Sequence, residues 1–530
     1  MSFYDFQLTI GELLASSVER NSDQLVTFRD RDHFTYSRFM GDVRRLAGGL
    51  SKLGVSRGDV VAVLDYDSIP YLQSYFAVPA LGAVLHTVNI RYPSEVMYYT
   101  MQHAGDKYAI IRDDFLPVAE KHAGLFKFIK GWIVVSERDA KSSLPGSVSL
   151  NDIATVDDFE FPRIGENETA TVFYTSGTTG KPKGVTFTHR QIVLHTLCGI
   201  SSFSDPPISM TNEDVWMPLV PLFHVHSWGL PFSNLLKGMK HVMPGKYEIP
   251  ELLRTIRNEK VTLMAMVPSV LYLMISHPDA PKYLSGLNIR VVVGGAALPK
   301  GLSEKAAQLG IQTFSGYGLS ETAPVLTLAT FNHDVLQMTE QERNGYRLKT
   351  GYPVPLVHLR ITDSSGKDVP RDGKSIGEIV VRSPWLTKGY YRDEEKTAEL
   401  WKDDWMHTGD LAVMDAHGYV QIVDREKDAV KSGGEFIPSL LLEDAISTCP
   451  GVAEVAVIGR KDDTWGERPI AFVVGKGDVT SADIVKSLST LVESGRIAKF
   501  WIPDEFIFVN SLEKTSTGKI DKKALKAGLH

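Results

Sequence analysis

The chain has 530 residues, 43% hydrophobic and 23% charged, with a formal net charge of −7. That length accommodates three or more compact units of ordinary globular composition, and interspersed charges with an acidic excess give no basis for sequence-independent binding to nucleic acid. Two cysteines, Cys198 and Cys449, lie far apart without paired spacing, which suggests neither a disulfide framework nor a zinc site and fits a reducing, cytoplasmic setting.

The N-terminus carries Asp5 and Glu12 where a secretory signal would have a basic start and an unbroken apolar core. Thr35 is placed to cap a helix whose apolar residues Phe39, Val43, Leu46, Leu50 and Leu53 recur at four and three, ended by Gly54. "DVVAVL" (Asp59 to Leu64) then reads as a buried strand, and the rhythm repeats through "AVLHTV", "YAIIR", "WIVVS", "TATVFYT", "VTLMAMV" and "IRVVVGG". Short β-rich runs between helical stretches predict layered α/β sheets, largely parallel, with ligands at the carboxyl ends of strands. The most apolar stretch, Leu263 to Ile275, is broken by Pro268 and Ser269 and too short to span a bilayer; it predicts a buried strand and a helix start, leaving only peripheral membrane contact open. From about Gly351 shorter strands and turns predict a compact β subdomain, and after Asp424 the α/β pattern returns in a small terminal unit.

"YTSGTTGKPKGVTFTH" (Tyr174 to His189) is the densest run of Thr, Ser, Gly and Lys. It fails the Walker-A pattern: only two residues separate Gly177 from Gly180, and Lys181 precedes Pro182, which has neither a hydroxyl nor a backbone N–H. The hydroxyls of Thr175, Ser176, Thr178 and Thr179, with Lys181 and Lys183, still compose a phosphate grip. A plain turn between two strands is the other reading of the same composition.

Downstream come, in order, "VVVGGAALP" (Val291 to Pro299), "SGYGLSET" (Ser315 to Thr322), "MHTGDL" (Met406 to Leu411), "DREKDAVKSGGE" (Asp424 to Glu435) and "KTSTGKID" (Lys514 to Asp521). In this order and spacing the set strongly resembles the adenylate-forming superfamily of acyl-CoA synthetases, nonribosomal adenylation domains and firefly luciferase, over essentially the whole chain. The resemblance implies an α/β fold with a large N-terminal domain, residues 1–424, containing a β subdomain at about 351–424. A small mobile α+β lid would follow, residues 425–530, with its hinge near Lys427.

Site roles follow from the same resemblance. The loop with Thr175, Ser176, Gly177, Thr178, Thr179 and Lys183 would hold the β- and γ-phosphates of ATP. Gly295 and Ala296 would line the adenine and carboxylate side, and the Ser315-Gly316-Tyr317 segment would lay the Tyr317 ring along adenine. Ser320 would touch the α-phosphate, Glu321 would hold Mg²⁺, and Asp410 and Arg425 would bind ribose. Lys519 matches the tail lysine that serves adenylation. Rotation at Lys427 would then bring Lys431, Gly433, Gly434 and Glu435 to the pantetheine arm of coenzyme A. Long-chain relatives also suggest a homodimer.

"PLFHVHSWGLP" (Pro221 to Pro231) argues against amino acids as substrates, because His224 stands where amino-acid adenylation domains carry an Asp. His224 lies beside the substrate carboxylate or is a packed core histidine. Trp228 resembles the gate to an acyl tunnel, and Gly318 replaces a Trp that closes the pocket of acetate-specific members, so a medium or long chain, or an aryl acid, is expected to fit. "KSGGEFIPSLLLEDAI" is most similar to medium- and long-chain fatty acyl-CoA ligases, except that Phe436-Ile437-Pro438 stands where those relatives show Trp-Ile-Ser. The expected activity is ATP-dependent ligation of a fatty acid to CoA. The alternatives are an aryl- or other substituted-acid ligase, an acyl-AMP ligase loading a carrier protein, and a nucleotide-binding sensor without catalysis.

Overall fold

The computed structural model describes residues 5–154, 159–175, 181–433, 435–494, 497–514 and 520–529, the side chains of Glu435 and Phe436 excepted. Among these residues a seven-stranded sheet runs in the order Ser147–Ser149, Gly131–Val135, Asp106–Arg112, Val60–Leu64, Val84–Thr87, Thr169–Thr175, Lys183–Thr188. Its neighbours are parallel except the last two strands, which form the antiparallel hairpin bearing the Gly/Ser/Thr run. A nine-stranded sheet is parallel from Gln312–Gly318 through Arg290–Val293, Leu263–Met266, Val215–Pro218 and Lys240–Met243 to Leu25–Phe28, with antiparallel strands at both ends.

The helix expected after Thr35 spans Tyr36–Lys52, and the Thr35 side chain accepts the Arg38 N–H. Gly54, just beyond its end, has φ +96°, a conformation that favours glycine. Alternation along Val60–Leu64 sends Val61 and Val63 into one core and Ala62 and Leu64 into another, so the strand is buried on both faces. The Val61 core continues into the second sheet through Val26, Trp216, Leu263, Val292 and Phe314, with Tyr71, Tyr75 and Phe76 of the helix Ile69–Ala80. Every residue of that helix except Pro70 is buried, which accounts for its apolar character all round. One continuous core thus ties both sheets into a large N-terminal domain.

The expected β subdomain is an antiparallel sheet of His358–Thr362, Gly377–Arg382, Trp401–Lys402, Trp405–Met414 and Val420–Arg425. A smaller C-terminal domain follows. Its long hairpin Val452–Asp462 and Gly466–Gly475 carries the helices Ser439–Ser447 and Ser481–Glu493 over a core of Leu442, Ile446, Val457, Val473 and Ile484. No helix among the described residues is long and apolar enough to cross a membrane.

Candidate functional site

A cavity of about 1320 Å³ opens at the carboxyl ends of the parallel strands, beneath the C-terminal domain. Its wall brings together Thr175, Lys183, His224, Trp228, Gly295, Ala296, Gly316, Tyr317, Gly318, Ser320, Glu321, Arg425 and Lys427, which the sequence scatters over some 250 positions.

On one side, the strand Gln312–Gly318 presents Tyr317, whose hydroxyl donates to Asp410 Oδ2 at 2.7 Å. Arg425 Nε lies 3.1 Å from Asp410 Oδ1, and the two residues are cross-strand partners in the β subdomain. Asp410 is only 3% exposed. Burial, then the Asp410 charge, push the Tyr317 hydroxyl well above its ordinary range, so it stays a proton donor. A carboxylate oriented from both sides in this way keeps lone pairs for hydroxyl donors of a ligand.

Another part of the wall carries a group of charges. Thr175 and Lys183 face each other across the hairpin, flanking residues 176–180. Ser176, Gly177, Thr178 and Thr179 lie outside the described residues. Lys183 Nζ sits 4.4 Å from the centroid of the Tyr390 ring, and the Tyr390 hydroxyl donates to Glu321 Oε1 at 2.7 Å. Glu321 follows Ser320 in the short turn Ser320–Thr322, which starts where the strand Gln312–Gly318 ends. Nothing in the sequence marks Tyr390, because "KGYYRD" carries no periodicity or motif.

The third side is apolar and rests on an unusual backbone. Val225, His226, Ser227 and Trp228 have φ of 37°, 57°, 47° and 60°, a left-handed turn without a glycine until Gly229. L-residues pay roughly 1–2 kcal/mol each for this conformation, and surrounding bonds hold it. Asp67 Oδ1 accepts the Leu222 N–H at 2.7 Å, Tyr75 donates to the Leu222 carbonyl, Ser227 Oγ donates to the Val220 carbonyl at 2.7 Å, and His226 Nε2 pairs with Thr171 Oγ1 at 2.8 Å. Burial, with His195 nearby, takes the His226 imidazole down to about 3, so it is a neutral core group. The turn carries half-buried His224 and the nearly buried Trp228 to the cavity wall.

Two of the expected residues have other roles in the packing. Gly318 lines the cavity, but a Cβ there would overlap the Pro324 carbonyl rather than project into open space. Its glycine is required by the close strand approach at Gly318 and Val325, beside a register shift, and is no sign of an extended pocket. Ser315 is nearly buried and donates its hydroxyl to the Leu348 carbonyl at 3.3 Å, away from the cavity wall.

The C-terminal domain contributes Lys514, Ile520, Asp521 and Lys522 to the wall. Lys519 lies outside the described residues, as do Gly434 and the Glu435 side chain. Lys431 and Gly433 sit away from the cavity, where the Lys431 N–H donates to Glu467 Oε2 at 3.0 Å and Gly433, at φ +60°, packs against Trp465. The tail side of this domain faces the cavity, whereas Lys431 and Gly433 do not line it.

Residues 14–391 match the AMP-binding enzyme family, and residues 441–519 match the AMP-binding enzyme C-terminal domain. The chain belongs to the AMP-binding enzymes. It is 38% identical over 494 residues to a long-chain-fatty-acid–CoA ligase of Thermus thermophilus, covering 93% of this chain and 89% of that protein. It is 33% identical to a medium-chain-fatty-acid–CoA ligase of Ectopseudomonas oleovorans, over 91% of this chain and 88% of that protein. Among solved structures this AMP-binding enzyme is similar to ATP-bound MatB from Rhodopseudomonas palustris, with TM-score 0.84, 26% identity and 99% of each chain covered. An anthranilate CoA ligase at 23% identity and TM-score 0.86, covering 99% of this chain and 98% of that one, shares the fold.

Proposed function

We propose that this AMP-binding enzyme is an acyl-CoA ligase for medium- or long-chain fatty acids, forming acyl-AMP from the acid and ATP and then passing the acyl group to CoA. One observation carries the reading: Tyr317 and Arg425, which hold Asp410 just behind the wall, the Glu321 and Lys183 cluster and the apolar wall at Trp228 meet at a single cavity. Nucleotide and acid can therefore meet. Fatty-acid CoA ligases among the relatives support the acid and the acceptor.

In this reading Asp410 accepts the ribose hydroxyls and the Tyr317 ring lies along the base. Lys183, with the loop at 176–180, holds the leaving phosphates. Among the described residues no three His, Cys, Asp or Glu side chains gather as a metal site. Glu321 is the residue that would hold a Mg²⁺, and such an ion would neutralise charge on the departing pyrophosphate. The acid's carboxylate attacks the α-phosphorus, the bond to pyrophosphate breaks, and Lys519 would stabilise the developing charge. Rotation at Lys427 would exchange the tail for the 431–435 segment, so that the CoA thiol attacks the acyl carbonyl and AMP leaves. We place the enzyme in the cytoplasm.

The test is pyrophosphate and AMP release by purified protein with ATP and Mg²⁺, across acids from acetate to palmitate plus benzoate, with and without CoA. CoA-dependent turnover peaking at medium or long chains is expected; a peak at benzoate or acetate would overturn the choice of acid. Pyrophosphate exchange without CoA turnover would overturn the acceptor. Lys519→Ala should cripple acyl-AMP formation while sparing thioester formation from supplied acyl-AMP, and equal loss in both would remove its assigned role.

A further inference from the structure

The helix Ser439–Ser447 is the first helix of the C-terminal domain and follows Pro438, a cap position whose side chain makes no hydrogen bond. A proline side chain has no oxygen to offer the first free N–H groups of a helix. The missing acceptor comes from the other domain. Asp424 Oδ2 accepts the Ser439 N–H at 2.5 Å, while Oδ1 accepts its own Arg425 N–H at 2.7 Å. Asp424 is 1% exposed and Ser439 fully buried. Asp424 pairs with Leu411 in the β subdomain, on the large-domain side of Lys427, so the bond crosses the hinge.

The acceptor group is reinforced from the tail. Lys522 Nζ donates to Ser439 Oγ at 2.6 Å and pairs with Glu443 Oε1 at 2.6 Å, and its charge also acts on Asp424. Lys522 stands three residues beyond Lys519. Leu441 of the same helix packs on Leu411, Val413 and Val423 of the β subdomain. Ser439, Glu443 and Lys522 would move together with the small domain, whereas Asp424 would stay. A contact made in one arrangement and lost in the other shifts the balance between them by its differential strength.

Resting on the two-step reading above, we propose that Asp424 is a positioning residue that latches the small domain with its tail side at the cavity, favouring acyl-AMP formation over thioester formation. It acts by capping, from across the hinge, a helix that Pro438 leaves uncapped, and a carboxylate at that helix N-terminus is also favoured by the helix dipole.

Asp424→Asn and Asp424→Ala test this with two readouts. The first separates the half-reactions: acyl-AMP formation, followed by pyrophosphate exchange, is expected to fall about ten-fold or more in Asp424→Ala, with thioester formation from supplied acyl-AMP and CoA within about two-fold of the unaltered enzyme and partial rescue in Asp424→Asn. Equal losses in both steps, or none, would overturn the latch. The second needs no activity. Spin labels at Ser276→Cys and Asp478→Cys, both exposed positions flanking the cross-domain bond from Lys476 Nζ to Tyr272 Oη of 2.6 Å, report the lid position, because native Cys198 and Cys449 are buried. One short distance is expected with Asp424 present and a broadened or second population with Asp424→Ala; identical distributions would overturn the latch. An unaltered enzyme silent toward every acid would refute the ligase reading alone, the label distances still deciding the latch.

Discussion

The Tyr390 hydroxyl donates a hydrogen bond to Glu321 Oε1 while its ring lies against the Lys183 ammonium, so one side chain orients an acid and a base that stand 138 positions apart. Losing a hydrogen bond to a charged group costs roughly 1.5–3 kcal/mol. Tyr390→Phe keeps the ring and should lower acyl-AMP formation about ten-fold, with a higher Mg²⁺ concentration needed for half-maximal rate. Tyr390→Leu, which also removes the ring, should lose more. A Mg²⁺ titration of pyrophosphate release checks both, and an unshifted titration midpoint in Tyr390→Phe would mean that Tyr390 only packs.

Asp67 beneath the left-handed turn makes stability depend on pH. Burial pushes its carboxyl up to about 7, against the Leu222 N–H and the Arg91 charge, which favour the anion. Its folded value lies above the unfolded one, so the folded chain holds a proton that the unfolded chain releases. The stabilisation is complete below about pH 4, declines as pH rises, and is gone above about pH 7. Chemical denaturation between pH 5 and 8.5 should therefore show falling stability with rising pH. Asp67→Asn, which still accepts the Leu222 N–H, should flatten that slope and gain on the order of a few kcal/mol at pH 8.

Gly318→Ala should destabilise the protein by about 3 kcal/mol or more, because the new methyl meets backbone at Pro324 that cannot swing aside. Thermal melting measures the loss. A stable Gly318→Ala with unchanged activity would contradict the tight strand approach, and a tryptophan there would disturb the strand pair before it filled any pocket.

Trp228 has a definable seat. A Cβ at Gly294 would lie 2.9 Å from Trp228 Cη2 and 3.2 Å from Cζ3. Gly294→Ala should push the indole towards the acid and shorten the preferred chain, whereas Trp228→Ala should admit longer or bulkier acids, each changing relative kcat/KM by roughly 10-fold. The acid panel checks both. Parallel shifts in the two variants would place the acyl chain elsewhere.

Chain order of elements, the division into a large and a small domain and the nucleotide motifs were legible in the sequence, because each depends on residues close together in it. Periodicity set the strand Val60–Leu64 and the helix Tyr36–Lys52, and a hydroxyl before a helix marked the Thr35 cap. Gly318 shows the limit of such reading. A glycine in sequence says that no side chain is present, but which neighbour fills that space depends on how the strands pair.

The tertiary structure alone decided the partnerships across large sequence distances: Tyr390 with Glu321, Tyr317 with Asp410, and Asp424 with Ser439. None of these pairs has a spacing rule, since hydrogen bonds between elements depend on where sheets and helices dock. The sequence by itself determined which chemical groups the enzyme carries, through local patterns that fold locally. Their joint arrangement around one cavity came from the burial of a core shared by distant segments.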